Sequence, residues 1–360
     1  LDYNSILEHG AYTLSKKQKE IIFAKYLSDL TRYHALNCEQ YRRMIESLGI
    51  YDYEFSHIKD VPFLPVSLFK YLNLASVNKD QIFKTMTSSG TTGQQVSKIF
   101  LDKSTAYNQQ KTLAKIMSQY IGNTRLPMII IDSQSVISNR EQFSARGAGI
   151  LGFSIFGSKK LFALDNNMNL DVDQLSTFIN ENKGNKIFIF GFTYMIWEHF
   201  YKELKKHDIH LDLSNAILFH GGGWKKLENE KVSPQMYKQN IREYTSISEI
   251  HDYYGMVEQT GNVYVECNQG YLHTTSYSDI LIRNPQDFSV LENGEKGLIQ
   301  TISLLPESYP GHSLLTEDEG IVFGDDNCQC GKKGKYFKVL GRVKNAEIRG
   351  CSDTYANDHR

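Results

Sequence analysis

Three short, uninterrupted apolar runs restrict what this chain can fold into: PMIIID (127–132), KIFIFGF (186–192) and NAILFHGGG (215–223). Each is too short for a stable helix, and each is closed by an acid, a glycine or a turn residue, so each reads as a strand buried on both faces. Between them lie helical stretches such as TYMIWEHFYKELKKH (193–207). Strands buried on both faces and separated by helices predict an α/β domain of layered sheets and helices, with a largely parallel sheet. Such sheets bind ligands where loops leave the carboxyl ends of the strands.

The flanking regions differ. From Leu14 to about Leu48 the spacing is helical, with Ile21, Ile22, Tyr26 and Leu30 as the apolar positions among many lysines. DVPFLPVSLFKYLNL (60–74) carries two prolines in an apolar stretch and predicts an extended segment packed on the core. VSKIFLD (96–102) reads as a strand, and STAYNQQKTLAKIMSQYIG (104–122) as a helix capped by Ser104 and ended by Gly122. After residue 262 the chain becomes a series of short strand-like runs, NVYVEC, DILIR, GLIQTIS, GIVFGD, YFKVLGRV and AEIRG, which predicts a β-rich subdomain. The expected organisation is a helical lead-in over 1–75, an α/β core over 76–261, the β-rich part over 262–340 and a hinge-like tail over 341–360.

Composition excludes several classes. Net charge is −1 with a pI near 6.9 and no basic run, which argues against a nucleic-acid groove. No apolar run is long enough for a membrane span, and the N-terminus lacks the layout of a secretory signal, so a cytoplasmic protein is expected. The chain opens on Leu rather than Met, so its natural start stays open. Five cysteines do not suggest a disulfide framework. Cys38 reads as a packing residue in the lead-in. Cys267 and His273 in ECNQGYLH, with Cys328 and Cys330 in CQCG, form a Cys3His set that either holds structural zinc or remains three unligated thiols and a histidine.

The run TSSGTTGQQVSK (87–98) is rich in hydroxyls and glycines. It fails the P-loop pattern, because Gly93 is followed by Gln94 and Lys98 lies in the next strand. It is therefore either a flexible surface loop or a flap whose freed N–H groups and hydroxyls surround a triphosphate.

This run resembles the phosphate-binding signature of the adenylate-forming ligases, and further resemblances follow in order. HGGGWK (220–225) resembles the glycine segment along the adenine, YYGMVEQTG (253–261) the Tyr-Gly-x-Thr-Glu motif, LLTED (314–318) the segment ending in the ribose-binding aspartate, and LGRVKNAEIRG (340–350) the Gly-Arg hinge. Within that superfamily PFLPVSLFK, the loop and GRVKNAEIRGCSDTY are most similar to the LuxE-type acyl-protein synthetases, which activate a fatty acid for a reductase; the phenylacetate-CoA ligases are the next relatives. The chain ends within about twenty residues of the hinge-like segment, so the expectation is that the superfamily's mobile C-terminal domain is absent or reduced to a short tail.

The resemblance implies ATP and magnesium as cofactors, a small carboxylic acid as substrate and a partner acyl reductase or acyltransferase. It implies that Ser88, Ser89, Gly90, Thr91, Thr92 and Gly93 cover the triphosphate with Lys98 as charge partner, and that Glu258 holds magnesium. Gly221, Gly222 and Gly223 would admit the purine with Tyr254 stacked on it beside Gly255, and Asp318 and Arg342 would bind the ribose. Cys351 in RGCSDTY would accept the acyl group, with Arg349 favouring its thiolate. Transfer to coenzyme A or a carrier protein, and a non-catalytic binding subunit, are the rival readings. GAGILGFSIFG (147–157) and GFTYMIWEHF (191–200) read as core or as acyl-channel lining, with packing the default.

Overall fold

A computed structural model describes residues 3–88, 96–137 and 145–343. The strands, in chain order, are β1 (Leu64–Pro65), β2 (Lys84–Thr87), β3 (Lys98–Leu101), β4 (Leu126–Ser133), β5 (Gly157–Leu164), β6 (Ile187–Phe192) and β7 (Ala216–Gly221). They continue with β8 (Glu249–Tyr254), β9 (Tyr264–Val265), β10 (Leu272–His273), β11 (Ser278–Arg283), β12 (Lys296–Ser303), β13 (Ser313–Asp325) and β14 (Lys335–Arg342). The chain forms two compact units, one of residues 117–255 and one of residues 1–116 with 256–360.

The 117–255 unit contains the parallel sheet that the apolar runs predict, in the order β5-β4-β6-β7-β8. Ile129 and Ile131 of β4, Ile187 and Ile189 of β6, and Leu218 of β7 lose essentially all contact with water. Each such side chain contributes roughly 1.5–3 kcal/mol. One face of the sheet is covered by Ile196, Trp197, Phe200, Tyr201 and Leu204, so GFTYMIWEHF packs into the core. This helical segment runs through a π-helical turn at Ile196–Tyr201, which brings Trp197 against Trp224 and Tyr237. The other face carries Phe153, Phe188, Phe190 and Tyr253 in mutual ring contact. Phe153 comes from the Ala145–Ser154 helix, within GAGILGFSIFG. The chain passes from β4 outward to β5 and then back to β6 on the opposite side of β4, so the carboxyl ends of β4 and β6 form a topological switch point.

The other unit is built on a predominantly antiparallel sheet in the order β10-β14-β13-β12-β11, with β1 added parallel to β13. The Lys16–Asn37 helix starts in a capping box made by Ser15 and Gln18. Its buried stripe is Phe23, Tyr26, Leu27, Leu30 and His34, whereas Ile21 is 65% exposed, so the expected stripe is shifted by two positions at its start. The helix ends at Cys38, whose extended backbone also begins the Glu39–Ser47 helix; its side chain is buried, as a packing residue should be. Lys19 is buried with its ammonium 3.0 Å from Thr274 Oγ1 and 3.8 Å from the Asp279 carboxylate, and Lys335 reaches that carboxylate at 3.2 Å. The proline-containing segment is extended through β1, then turns into a short Leu68–Tyr71 helix.

The Lys103–Ile121 helix is capped by Asp102 rather than Ser104: Asp102 Oδ1 accepts the Thr105 N–H at 2.8 Å. The helix begins one residue before Ser104, which places that serine inside the first turn. Gly122 ends it in a left-handed conformation, as expected.

Candidate functional site

The hydroxyl-rich run joins β2 to β3, which pair antiparallel with Thr87 opposite Lys98. Ser88, Ser97 and Lys98 of this stem are described, while Ser89, Gly90, Thr91, Thr92 and Gly93 lie outside the described residues. Ser88 and Ser97 close the stem, with Ser88 N–H donating to Ser97 O at 3.1 Å and Ser97 N–H donating to Ser88 Oγ at 2.9 Å. Lys98 is exposed at the start of β3.

Glu258 lies in a single 3-10 turn, Val257–Gln259, and is only 6% exposed. Burial pushes its carboxyl above the usual range, and this is partly offset by Ser97, by its own backbone N–H, by Lys70 and by Arg342. The Ser97 hydroxyl beside it is buried and contributes a hydrogen bond to that carboxyl. The turn is held from behind. Tyr309 Oη donates to the Glu258 carbonyl at 2.8 Å, and the Gln259 amide donates to Gly311 O at 2.8 Å and Thr301 O at 3.2 Å. A buried carboxyl beside a hydroxyl offers the hard oxygen ligands that a divalent cation takes.

Asp318 and Arg342 face each other across β13 and β14. Arg342 Nε is 3.8 Å from Asp318 Oδ1; the carboxylate is largely buried, while the guanidinium is 76% exposed. Asp318 is oriented through its N–H, which donates to Thr316 Oγ1 at 3.2 Å, and Thr316 Oγ1 in turn donates to Ile299 O.

In the 117–255 unit, His220, Gly221, Gly222 and Gly223 leave the carboxyl end of β7. At two of these glycines the space for a Cβ is filled by the protein itself. A Cβ on Gly221 would meet Tyr253 O at 2.6 Å, and one on Gly222 would meet the Phe192 ring at 2.6 Å. Gly223 is different: its φ is +68° and nothing among the described residues lies within 4 Å of its Cβ position. Tyr254 ends β8, and exposed Gly255 follows it.

Two further polar groups, His220 and Asp132, lie buried at these strand ends. His220 is buried with Nδ1 3.0 Å from Thr193 Oγ1 and 3.7 Å from Asp252 Oδ1, and burial, with Lys238 and His251, lowers its pKa to about 3. Asp132, at the end of β4, is 1% exposed and lies 3.1 Å from Arg146 Nε; burial raises its carboxyl despite that guanidinium. Arg146 also donates to Tyr194 Oη at 3.1 Å. An acid ending the apolar run PMIIID was visible, but its partner fourteen residues on was not.

Cys267, His273, Cys328 and Cys330 come together, each offering a ligand atom within 4.8 Å of the others. Cys351 and Arg349 lie outside the described residues.

The layered α/β and β-rich architecture is that of an adenylate-forming ligase. A solved 2-hydroxyisobutyryl-CoA ligase, in an open conformation with 2-HIB-AMP and CoA, superposes with a TM-score of 0.70 over 94% of this chain and 78% of that one, at 16% identity. Within that class the chain belongs to the LuxE acyl-protein synthetase family, whose profile matches residues 2–359. Two curated relatives are the long-chain-fatty-acid–luciferin-component ligases of Vibrio harveyi and Aliivibrio fischeri. Each is 22% identical, covering 94% of this chain and 88% of the relative in the first case and 95% and 89% in the second. The protein is thus a ligase, and no described helix is long and apolar enough to cross a membrane.

Proposed function

We propose that this protein activates a fatty acid with ATP and carries the acyl group on its own Cys351 before handing it to a partner acyl reductase or acyltransferase. In the first step a carboxylate oxygen attacks the α-phosphorus of ATP. The bond to the β-phosphate oxygen breaks, and pyrophosphate leaves an acyl adenylate. In the second the Cys351 thiolate attacks the acyl carbon, a thioester forms and AMP departs; the thiol proton goes to solvent.

The observation that carries the reading is Glu258, a buried carboxyl beside the buried Ser97 hydroxyl on the stem of the hydroxyl-rich run. Magnesium held there by Glu258 would neutralise charge accumulating on the phosphates. Ser88 to Gly93 donate to phosphate oxygens, with Lys98 as a charge partner. Asp318 accepts from the ribose hydroxyls and Arg342 donates beside it. Gly223 leaves room for the base, Tyr254 stacks on it, and Gly221, Gly222 and Gly255 set the backbone there. The long-chain fatty acid named for the relatives supports the choice of substrate.

The test is intact-mass spectrometry after incubation with ATP, magnesium and a panel of acids. An acid-dependent, hydroxylamine-sensitive mass increment is expected. In Cys351→Ser, acid-dependent pyrophosphate release persists and the increment disappears. An increment that survives in this variant overturns the acceptor assignment, and absence of acid-dependent pyrophosphate release from the wild type overturns the activity itself.

A further inference from the structure

The four residues Cys267, His273, Cys328 and Cys330 belong to none of the motifs used above, and their local geometry repeats. Cys267-Asn268-Gln269-Gly270 and Cys328-Gln329-Cys330-Gly331 are both Cys-x-x-Gly turns. In each the glycine N–H donates to the first cysteine's carbonyl at 3.0 Å, and in each that glycine is left-handed, with φ of +76° and +81°. A Cβ-bearing residue would strain both turns. Backbone donors point at the sulfurs as well: Gln269 N–H donates to Cys267 Sγ at 3.4 Å, and Lys332 N–H donates to the Cys330 thiol.

Between the turns stands His273, fully buried on β10, with Nε2 3.3 Å from Cys330 Sγ. Four donors around a tetrahedral zinc ion lie about 3.5 to 3.8 Å apart, given bond lengths of about 2.3 Å to sulfur and 2.0 Å to nitrogen. The observed cluster, with all ligand atoms within 4.8 Å, is already close to that arrangement. The surroundings are closed. Tyr336 stacks on the His273 ring, Tyr12 packs edge-on against it, and the N-terminal segment is pinned by Lys333 N–H donating to Tyr12 O.

We infer that Cys267, His273, Cys328 and Cys330 bind one zinc ion in a closed, structural site that fixes the start of β14. A soft, sulfur-rich donor set with four protein ligands and no open position matches structural zinc rather than a catalytic metal. The mechanical consequence follows from the register. His273 pairs with Tyr336, and Thr274 and Lys335 bond to each other through both backbone and Thr274 Oγ1, so the ion clamps one end of a strand whose other end bears Gly341 and Arg342.

The test is metal analysis of the full chain purified under reducing conditions, followed by cobalt substitution. About one zinc per chain is expected. Cobalt(II) added to the zinc-depleted protein should give thiolate charge-transfer and tetrahedral d–d bands that zinc then abolishes. Cys330→Ser should lose zinc, while Cys38→Ser, whose thiol lies elsewhere, should retain it. Failure of wild-type protein both to retain zinc and to give the cobalt bands overturns the inference, as does wild-type zinc affinity in Cys330→Ser. The cobalt spectrum of the wild type decides the matter even if Cys330→Ser does not fold.

Discussion

At the scale of single residues, the glycine run after β7 shows how one sequence pattern can serve two demands. Gly222 combines a φ of +83° with a ring carbon of Phe192 at 2.6 Å from its Cβ position, so the fold itself requires glycine there. Gly223 has a left-handed backbone too, but no atom of the described residues within 4 Å of its Cβ position. Gly222→Ala should therefore cost stability through both strain and collision, at least about 1–3 kcal/mol. Gly223→Ala should cost only about 1–2 kcal/mol from its backbone while raising the KM for ATP. Thermal melts of both variants beside ATP titrations of Gly223→Ala check this. A Gly223→Ala enzyme with an unchanged KM would show that no base lies against that position.

At the scale of elements, the start of the Lys103–Ile121 helix makes a sharp comparison. Asp102 accepts the Thr105 N–H, whereas Ser104 is already within the helix. Asp102→Ala should destabilise by about 1 kcal/mol, and Ser104→Ala should stay within about 0.5 kcal/mol of the wild type, both read from urea unfolding. Sequence periodicity missed this because an acid and a serine two residues apart are both good caps, and only the backbone decides which is at the boundary. The same limit explains which strands were legible. β4, β6 and β7 announce themselves because they are buried on both faces. β5, GSKKLFAL, and β8, EIHDYY, flank them and are partly exposed, so their sequences lack an unbroken apolar run. At the site, Glu258 and Asp318 could be singled out by local motif. The residues that hold the Glu258 turn, Tyr309 and Gln259, are ordinary in sequence and acquire a role only through contacts some fifty residues apart.

At the scale of the whole molecule, both units bury histidines whose pKa burial lowers, and this should make the fold sensitive to acid. In one unit His34 stacks on His312 at 5.0 Å, with His34 bonded to Ser76 Oγ at 2.7 Å and Pro306 O, and His312 facing Thr31 and Tyr41. Burial lowers the His34 pKa to about 3, and burial with the neighbouring His34 lowers that of His312 well below its ordinary value. In the other unit burial lowers His220 to about 3. Each folded pKa is depressed, so the unfolded chain takes up a proton first, near pH 6.5. The stability advantage of a neutral ring is complete above that pH and is lost progressively as pH falls from about 6.5 toward 3. Every such histidine adds a slope of about 1.4 kcal/mol per pH unit within the window. Urea unfolding between pH 7 and pH 5 should show a steep loss of stability. His34→Gln combined with His312→Gln should flatten that slope even if the variant is less stable at pH 7. The double substitution removes two groups that titrate only on unfolding, so an unchanged slope would mean that these rings already carry their protons in the native protein.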